Sequence, residues 1–145
     1  MCSATTGGEF YTAPSSSTNS STAKTFIIDH PVDTNRYLVH GCLEGPETGV
    51  YYRGKAKIVC DNVVVRLPSY VKHLAFDFTV HLTSIGKNNG LYCSEVENGQ
   101  FTVYGDSGEF YWIVHGSRME INPEPCKETI SVHGDGPYRW CENKS

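Results

Sequence analysis

Phe76, Phe78, Val80 and Leu82 alternate with Asp77, Thr79, His81 and Thr83. A period of two puts the four apolar side chains on one face of an extended strand and the four polar ones on the other. On a helix the same residues would scatter around the cylinder. From Lys24 onward the chain is a series of such short runs, each bounded by Gly, Pro, Asn or Asp. Strands are predicted over 25–28, 36–43, 50–60, 62–67, 76–85, 91–97, 100–104 and 109–121, with one or two helical turns between Pro68 and Leu74. Asn98-Gly99, between two of these runs, suits a type I′ hairpin, whose two central residues both take positive φ. Gly105-Asp106-Ser107-Gly108 reads as the next turn, so 91–121 is expected to form a three-stranded meander. Eight short strands with almost no helix predict an all-β fold: a single-domain antiparallel β-sandwich, jelly-roll-like or a flattened barrel.

The chain of 145 residues is long enough for one hydrophobic core and has no need of a second domain. It divides by composition into three parts. Residues 1–23 contain Gly7-Gly8, Pro14 and a Ser/Thr/Asn run, a composition that buries too little apolar surface to offset chain entropy, and are expected to form a flexible arm. Phe10 and Tyr11 are an aromatic island in that arm, suited to docking on a neighbouring subunit. Residues 24–121 are the predicted β-domain. Residues 122–145, with Pro123, Pro125, Gly134, Gly136 and Pro137, are expected to be an irregular, cysteine-containing tail with at most one short strand near 130–132.

A formal net charge of −4 and a pI near 5.8, without any Lys/Arg cluster, give no general attraction to phosphate backbones, so no nucleic-acid partner is expected. No run approaches the roughly 20 apolar residues that span a bilayer, and the N-terminus lacks a basic and an apolar signal region; no membrane insertion is expected. The six cysteines have wide, irregular spacings and no Cys-x-x-Cys. They are read as reduced, partly buried thiols, with Cys126 and Cys141 as the pair best placed for an exception.

The chain has no Gly-x-Ser-x-Gly elbow, phosphate-binding Gly-rich loop or His-Glu-x-x-His helix. His40 lies close in sequence to Glu44 and Glu47, a set able to hold a metal or move a proton, and a three-histidine site from His40, His81 and His115 needs only a suitable strand pairing. A structural role at a strand end is the more economical reading of His40, Glu44 and Glu47, and no catalytic residue, metal or cofactor is assigned. Tyr51-Tyr52-Arg53 and Tyr111-Trp112 place aromatics on both faces of long strands, so at least one ring of each pair faces solvent or an interface. These five residues are the candidate binding or interface set. Aromatics beside charged groups suit a sugar ring or a subunit contact, and cross-strand aromatic pairing is the alternative.

Several separate motifs occur in order: Lys24-Thr25-Phe26-Ile27-Ile28-Asp29-His30-Pro31, Tyr37-Leu38-Val39-His40, Glu44-Gly45-Pro46-Glu47, Val50-Tyr51-Tyr52-Arg53-Gly54, Leu67-Pro68-Ser69-Tyr70-Val71, Asp77-Phe78-Thr79-Val80, Phe101-Thr102-Val103-Tyr104-Gly105 and Trp112-Ile113-Val114-His115-Gly116. Together they resemble a C-terminal domain of fibre-like and capsid-associated structural proteins of large DNA viruses of algae and protists (phycodnavirus- and mimivirus-like), and of phage tail-fibre-like proteins. Looser relatives occur in long bacterial surface proteins. The resemblance implies a non-enzymatic virion protein, made in the host cytoplasm, that self-associates, packs on other virion proteins or touches a host surface. A trimer suits a fibre. The chain differs from the longer members in having no repetitive shaft ahead of the domain. Asp29, His30, Pro31, His40, Glu44, Gly45, Pro46 and Glu47 are motif residues with a structural role implied. The competing expectations are a carbohydrate-binding attachment module and an enzyme, either metal-dependent through His40 with Glu44 or Glu47, or self-cleaving.

Overall fold

The computed structural model describes residues 25–135 and 139–144. The expected arm, with Phe10 and Tyr11, lies outside the described residues. The elements in chain order are β1 (Thr25–Asp29), β2 (Tyr37–Gly41), β3 (Thr48–Ile58), β4 (Asn62–Arg66), α1 (Val71–Leu74), β5 (Phe76–Ser84), β6 (Tyr92–Cys93), β7 (Gln100–Tyr104), β8 (Gly108–Met119), β9 (Ile130–His133) and β10 (Trp140–Asn143). Among the described residues all pairings are antiparallel, and the sheets do not close into a barrel. The flattened-barrel alternative therefore falls away and the all-β sandwich stands.

Two three-stranded sheets make the body. One has the order β3-β8-β5 and the other β4-β7-β6. Phe110 and Val114 from β8, Ile58 from β3, Val65 from β4 and Phe101 and Val103 from β7 share one buried core with Leu67 and Val71. Burial of each of these large side chains is worth roughly 1.5–3 kcal/mol. Trp112 reaches across to Phe101, edge to face at 6.0 Å between ring centroids, which joins the two sheets.

The alternation in β5 does what its period predicts: Phe78, Val80 and Leu82 pack against the core, while Thr79, His81 and Thr83 stay exposed. Phe76 departs from it. The register slips between Phe76 and Thr79, where Asp77 takes φ of 51°, and Phe76 is left outside at 48% exposure. The bulge turns the strand end and breaks the alternation there.

Asn98 and Gly99 have φ of 53° and 75°, and Glu97 and Gln100 exchange backbone hydrogen bonds of 2.9 and 3.0 Å. That is the expected two-residue turn between β6 and β7. The expected meander, in contrast, is not formed: β7 pairs with β4 and β6, whereas β8 is the centre of the other sheet. The turn at 105–108 carries the chain from one sheet to the other. It is tied down by Asp106 N–H donating to Asn89 O at 2.9 Å and Gly105 N–H donating to Asp61 O at 3.1 Å. Side chains at Gly105 or Gly108 would collide with Asn89, whose own side chain is buried beneath the turn.

Two hairpins flank the body. β1 and β2 pair with each other, as do β9 and β10. In the second of these β9 is the short strand expected near 130–132, and 122–129 are irregular as expected, but β10 is a second strand where at most one is predicted. Val132 pairs with Cys141 and His133 with Trp140, whose rings stack at 5.7 Å. The cross-strand pairing supplies an order that the Gly/Pro-rich sequence between the two strands conceals. Cys42, Cys60, Cys93, Cys126 and Cys141 are all free; Cys42 and Cys93 are half-buried and the other three exposed. The Cys93 thiol is pushed up by burial and then by neighbouring Glu95, which favours its protonated form.

Candidate functional site

β8 is the spine of the site because it is paired on both sides. Its register fixes which side chains from three strands share a face. Tyr51, His115 and Thr79 form one row across β3, β8 and β5; Arg53, Ile113 and His81 form the next; Lys55, Tyr111 and Thr83 the third. All nine point away from the core, since the residues between them, Tyr52, Gly54, Val80, Leu82, Trp112 and Val114, point into it. The outward face is therefore one continuous patch with Tyr51 at one end and Tyr111 near the other, 50% and 55% exposed.

The candidate aromatic set thus splits by parity. Tyr51, Arg53 and Tyr111 are brought together on the outward face. Tyr52 and Trp112 belong to the inward face, and the reason for Trp112 is visible in register. Its cross-strand partner is Gly54, and a Cβ at that position would lie 2.6 Å from the indole ring. The glycine is the space into which the indole packs.

A shallow hollow of about 390 Å³ lies in the outward face, lined by Arg53, Gly54 and Lys55 of β3, Tyr111 to Ile113 of β8, and His81 and Thr83 of β5. Lys55 Nζ sits 3.0 Å from Glu109 Oε1, so its charge is largely compensated. Among the described residues Arg53 forms no ion pair. His81 stands edge-on to His115 at 5.9 Å, and His115 in turn lies 6.3 Å from the Tyr51 ring. Lys55, His81, Thr83 and Ile113 were not in the candidate set. The alternation gave the side each of them faces, but only the inter-strand register places them beside Arg53 and Tyr111.

The motif residues gather elsewhere, at the joint between the β1–β2 hairpin and the body. His30 caps the hairpin loop: its Nδ1 accepts from the backbone N–H groups of Val32 at 3.2 Å and Asp33 at 3.0 Å. Pro31 continues that loop, which the Arg36–Asp33 ion pair at 3.0 Å also braces. Asp29 ends β1 opposite Tyr37 and is exposed. The His30, His40 and Tyr52 rings surround Tyr70 at 5.4, 5.9 and 6.2 Å. Burial lowers the pKa of His40, helped by the charge of Arg118, so the imidazole is held neutral. Tyr52 is pushed far up by burial and by the adjoining Tyr70 phenol. Glu44, Gly45, Pro46 and Glu47 are exposed in the connection between β2 and β3.

This placement separates the three histidines considered for a metal. His81 and His115 are neighbours on the outward face, while His40 packs on the inward-pointing Tyr52. Among the described residues no three His, Cys, Asp or Glu side chains converge in a metal-binding arrangement. No protein-family model matches the chain, and no curated protein or solved structure is detectably similar to it, so the functional argument rests on the motifs and the geometry.

Proposed function

We propose that this chain is a non-enzymatic structural protein of a virion, capsid-associated or at the tip of a fibre, and that it works by contact with a host surface through the outward face of β3-β8-β5. The observation that carries the contact reading is the three-row patch in which exposed Tyr51 and Tyr111 flank Arg53 and Ile113 on a paired, core-backed sheet. Rings on a rigid scaffold lose little conformational freedom on binding and offer an apolar body with a polar tip. The virion setting is supported by the ordered motifs between Lys24 and Gly116 and their resemblance to fibre and capsid-associated domains.

The test is adhesion. Beads coated with the purified full chain are applied to algal and protist cells, alongside beads carrying Tyr51→Ser with Tyr111→Ser. The expected outcome is adhesion by the parent chain that the double variant loses while its thermal midpoint stays unchanged. No adhesion by the parent, or equal adhesion by the variant, overturns the reading. Light scattering on the same samples reads the subunit number, for which a discrete trimer favours the fibre tip and a monomer the capsid-associated setting.

The carbohydrate-binding reading is favoured by one specific observation: the hollow of about 390 Å³ beside Tyr111 is of a size for one or two sugar units. It is compatible with the structural role and defines what the contact would recognise.

A further inference from the structure

Resting on that contact reading, we infer that the hollow between β3 and β5 is a binding site for an acidic sugar unit, a saccharide bearing a carboxylate or a sulfate. Four features of the face converge on this class.

The first is charge. The chain carries a net −4, yet the outward residues of β3 after Tyr51 are Arg53, Lys55 and Lys57. Facing them across β8 are Thr79, His81 and Thr83, with no carboxylate in those rows, and the one acidic group in register, Glu109, is engaged by Lys55. Arg53 is left to meet an anion from outside, and its guanidinium fork matches two oxygens of a carboxylate or sulfate at once.

The second is spacing. Arg53 and His81 occupy the same row on either side of Ile113. Two strand spacings, roughly 9.5 Å, separate their backbones, which leaves a sugar ring room to lie on Ile113 with polar groups at both edges.

The third is the floor. Ile113 is half-buried and Tyr111 projects beside it, so an apolar base and one aromatic ring sit within a polar rim. The C–H face of a pyranose needs that combination, and an inorganic anion does not.

The fourth is what the face excludes. Among the described residues β3 is the edge of its sheet, eleven residues long. A second copy pairing there antiparallel about Lys55 would set Arg53 opposite Lys57 and Lys55 opposite itself, against like charges. The basic alternation that guards the edge against self-pairing is the same one that favours an acidic guest.

The experiment uses the full chain and an array of paired glycans: a uronate oligosaccharide with its methyl ester, a sialylated glycan with its asialo form, and a sulfated glycan with its desulfated form, plus free acetate and sulfate by calorimetry. The expected result is binding to at least one acidic member at least about tenfold tighter than to its neutral partner, with the free anions bound far more weakly. Arg53→Gln and Tyr111→Ser each weaken that binding by about tenfold at an unchanged thermal midpoint, whereas Lys57→Gln, on the same face but outside the hollow, stays within about threefold. Equal binding of acidic and neutral partners overturns the acidic assignment and leaves the contact reading intact, because adhesion is measured separately. Free anions that bind as well as the sugars reduce the hollow to a simple anion site. Binding that survives both Arg53→Gln and Tyr111→Ser places the site elsewhere, and an array silent for every acidic member overturns the inference even where cell adhesion is seen.

Discussion

Tyr111 and Trp112 are adjacent in sequence, both aromatic, both on the central strand, and their surroundings have almost nothing in common. The Trp112 indole lies over Gly54 and against Phe101 between the sheets. The Tyr111 ring stands in solvent beside Lys55 and Thr83. The contrast extends along the ladder: Tyr52 packs on Tyr70 while Tyr51 faces out. Side-chain chemistry does not decide which ring is for packing and which is for contact. Strand parity does, because a one-residue step reverses the face.

The largest effect that separates the two faces is expected from truncation of the rings. Trp112→Ala removes a large side chain that joins two sheets and should lower the unfolding free energy by about 3 kcal/mol, the low end for a tryptophan because the indole is not wholly enclosed. Tyr111→Ala should change it by less than about 0.5 kcal/mol. Urea denaturation of both variants measures the gap. Equal losses would mean that the two faces are not distinct in packing, and the contact argument would lose its basis.

Next in size is Gly54→Ala. The added methyl would lie 2.6 Å from the Trp112 ring, so the indole or the strand must move, at a cost of about 1–3 kcal/mol. A red shift in tryptophan fluorescence should accompany the loss, as the indole is pushed out of its place beside Phe101. A Gly54→Ala variant of parental stability and spectrum would show that the glycine is not what admits the ring.

On the outward face the corresponding interaction is the Lys55–Glu109 pair, at 3.0 Å with both side chains about half exposed. Solvent screening limits such a pair to less than about 1 kcal/mol in a double-mutant cycle. A coupling well above that would indicate that the outward face contributes to stability as the inward face does.

How far the sequence led can be traced through individual residues. The Phe78, Val80 and Leu82 face, the Asn98-Gly99 turn and the exposure of one ring in each aromatic pair all follow from local period and φ preference, and all are present. What failed were statements about which strand lies beside which. Gly105-Asp106-Ser107-Gly108 looks like a hairpin turn locally and so suggests a meander, and only its docking on Asn89 and Asp61 reveals a passage between sheets. Even the correct turn misleads about register. Glu97 opposes Gln100, yet Cys93 opposes Val103, so one extra residue is accommodated on the β6 side and Tyr92, rather than Cys93, meets Tyr104. The resulting stack, 5.0 Å between ring centroids, was invisible to counting from the turn. The hollow is the same case: residue type alone points to Arg53 and Tyr111, whereas His81 and Thr83 enter it through a pairing of β5 with β8 that no local signal encodes.

The smallest effect concerns ionisable groups held on the inward side, and its sign follows from which protonation state folding prefers. Burial and then Arg118 lower the pKa of His40 from 6.5, so the folded chain keeps it neutral while the unfolded chain protonates it near 6.5. Below that pH the unfolded state binds more protons, and stability must fall as pH falls toward the lowered folded value; above 6.5 the contribution is fully present. Tyr52 acts at the other end. Burial and Tyr70 raise its pKa from 10.0, so above pH 10 the unfolded chain loses a proton that the folded chain retains, and stability falls as pH rises. The two groups border one cluster around Tyr70, which thus favours neutrality on both sides of a plateau between 6.5 and 10. Urea midpoints across pH 5–11 should trace that plateau, with the acid limb flattened by His40→Gln and the alkaline limb by Tyr52→Phe. A variant that leaves its limb unchanged would assign that limb to other groups, and with it would go the view that the inward layer holds its polar rings uncharged.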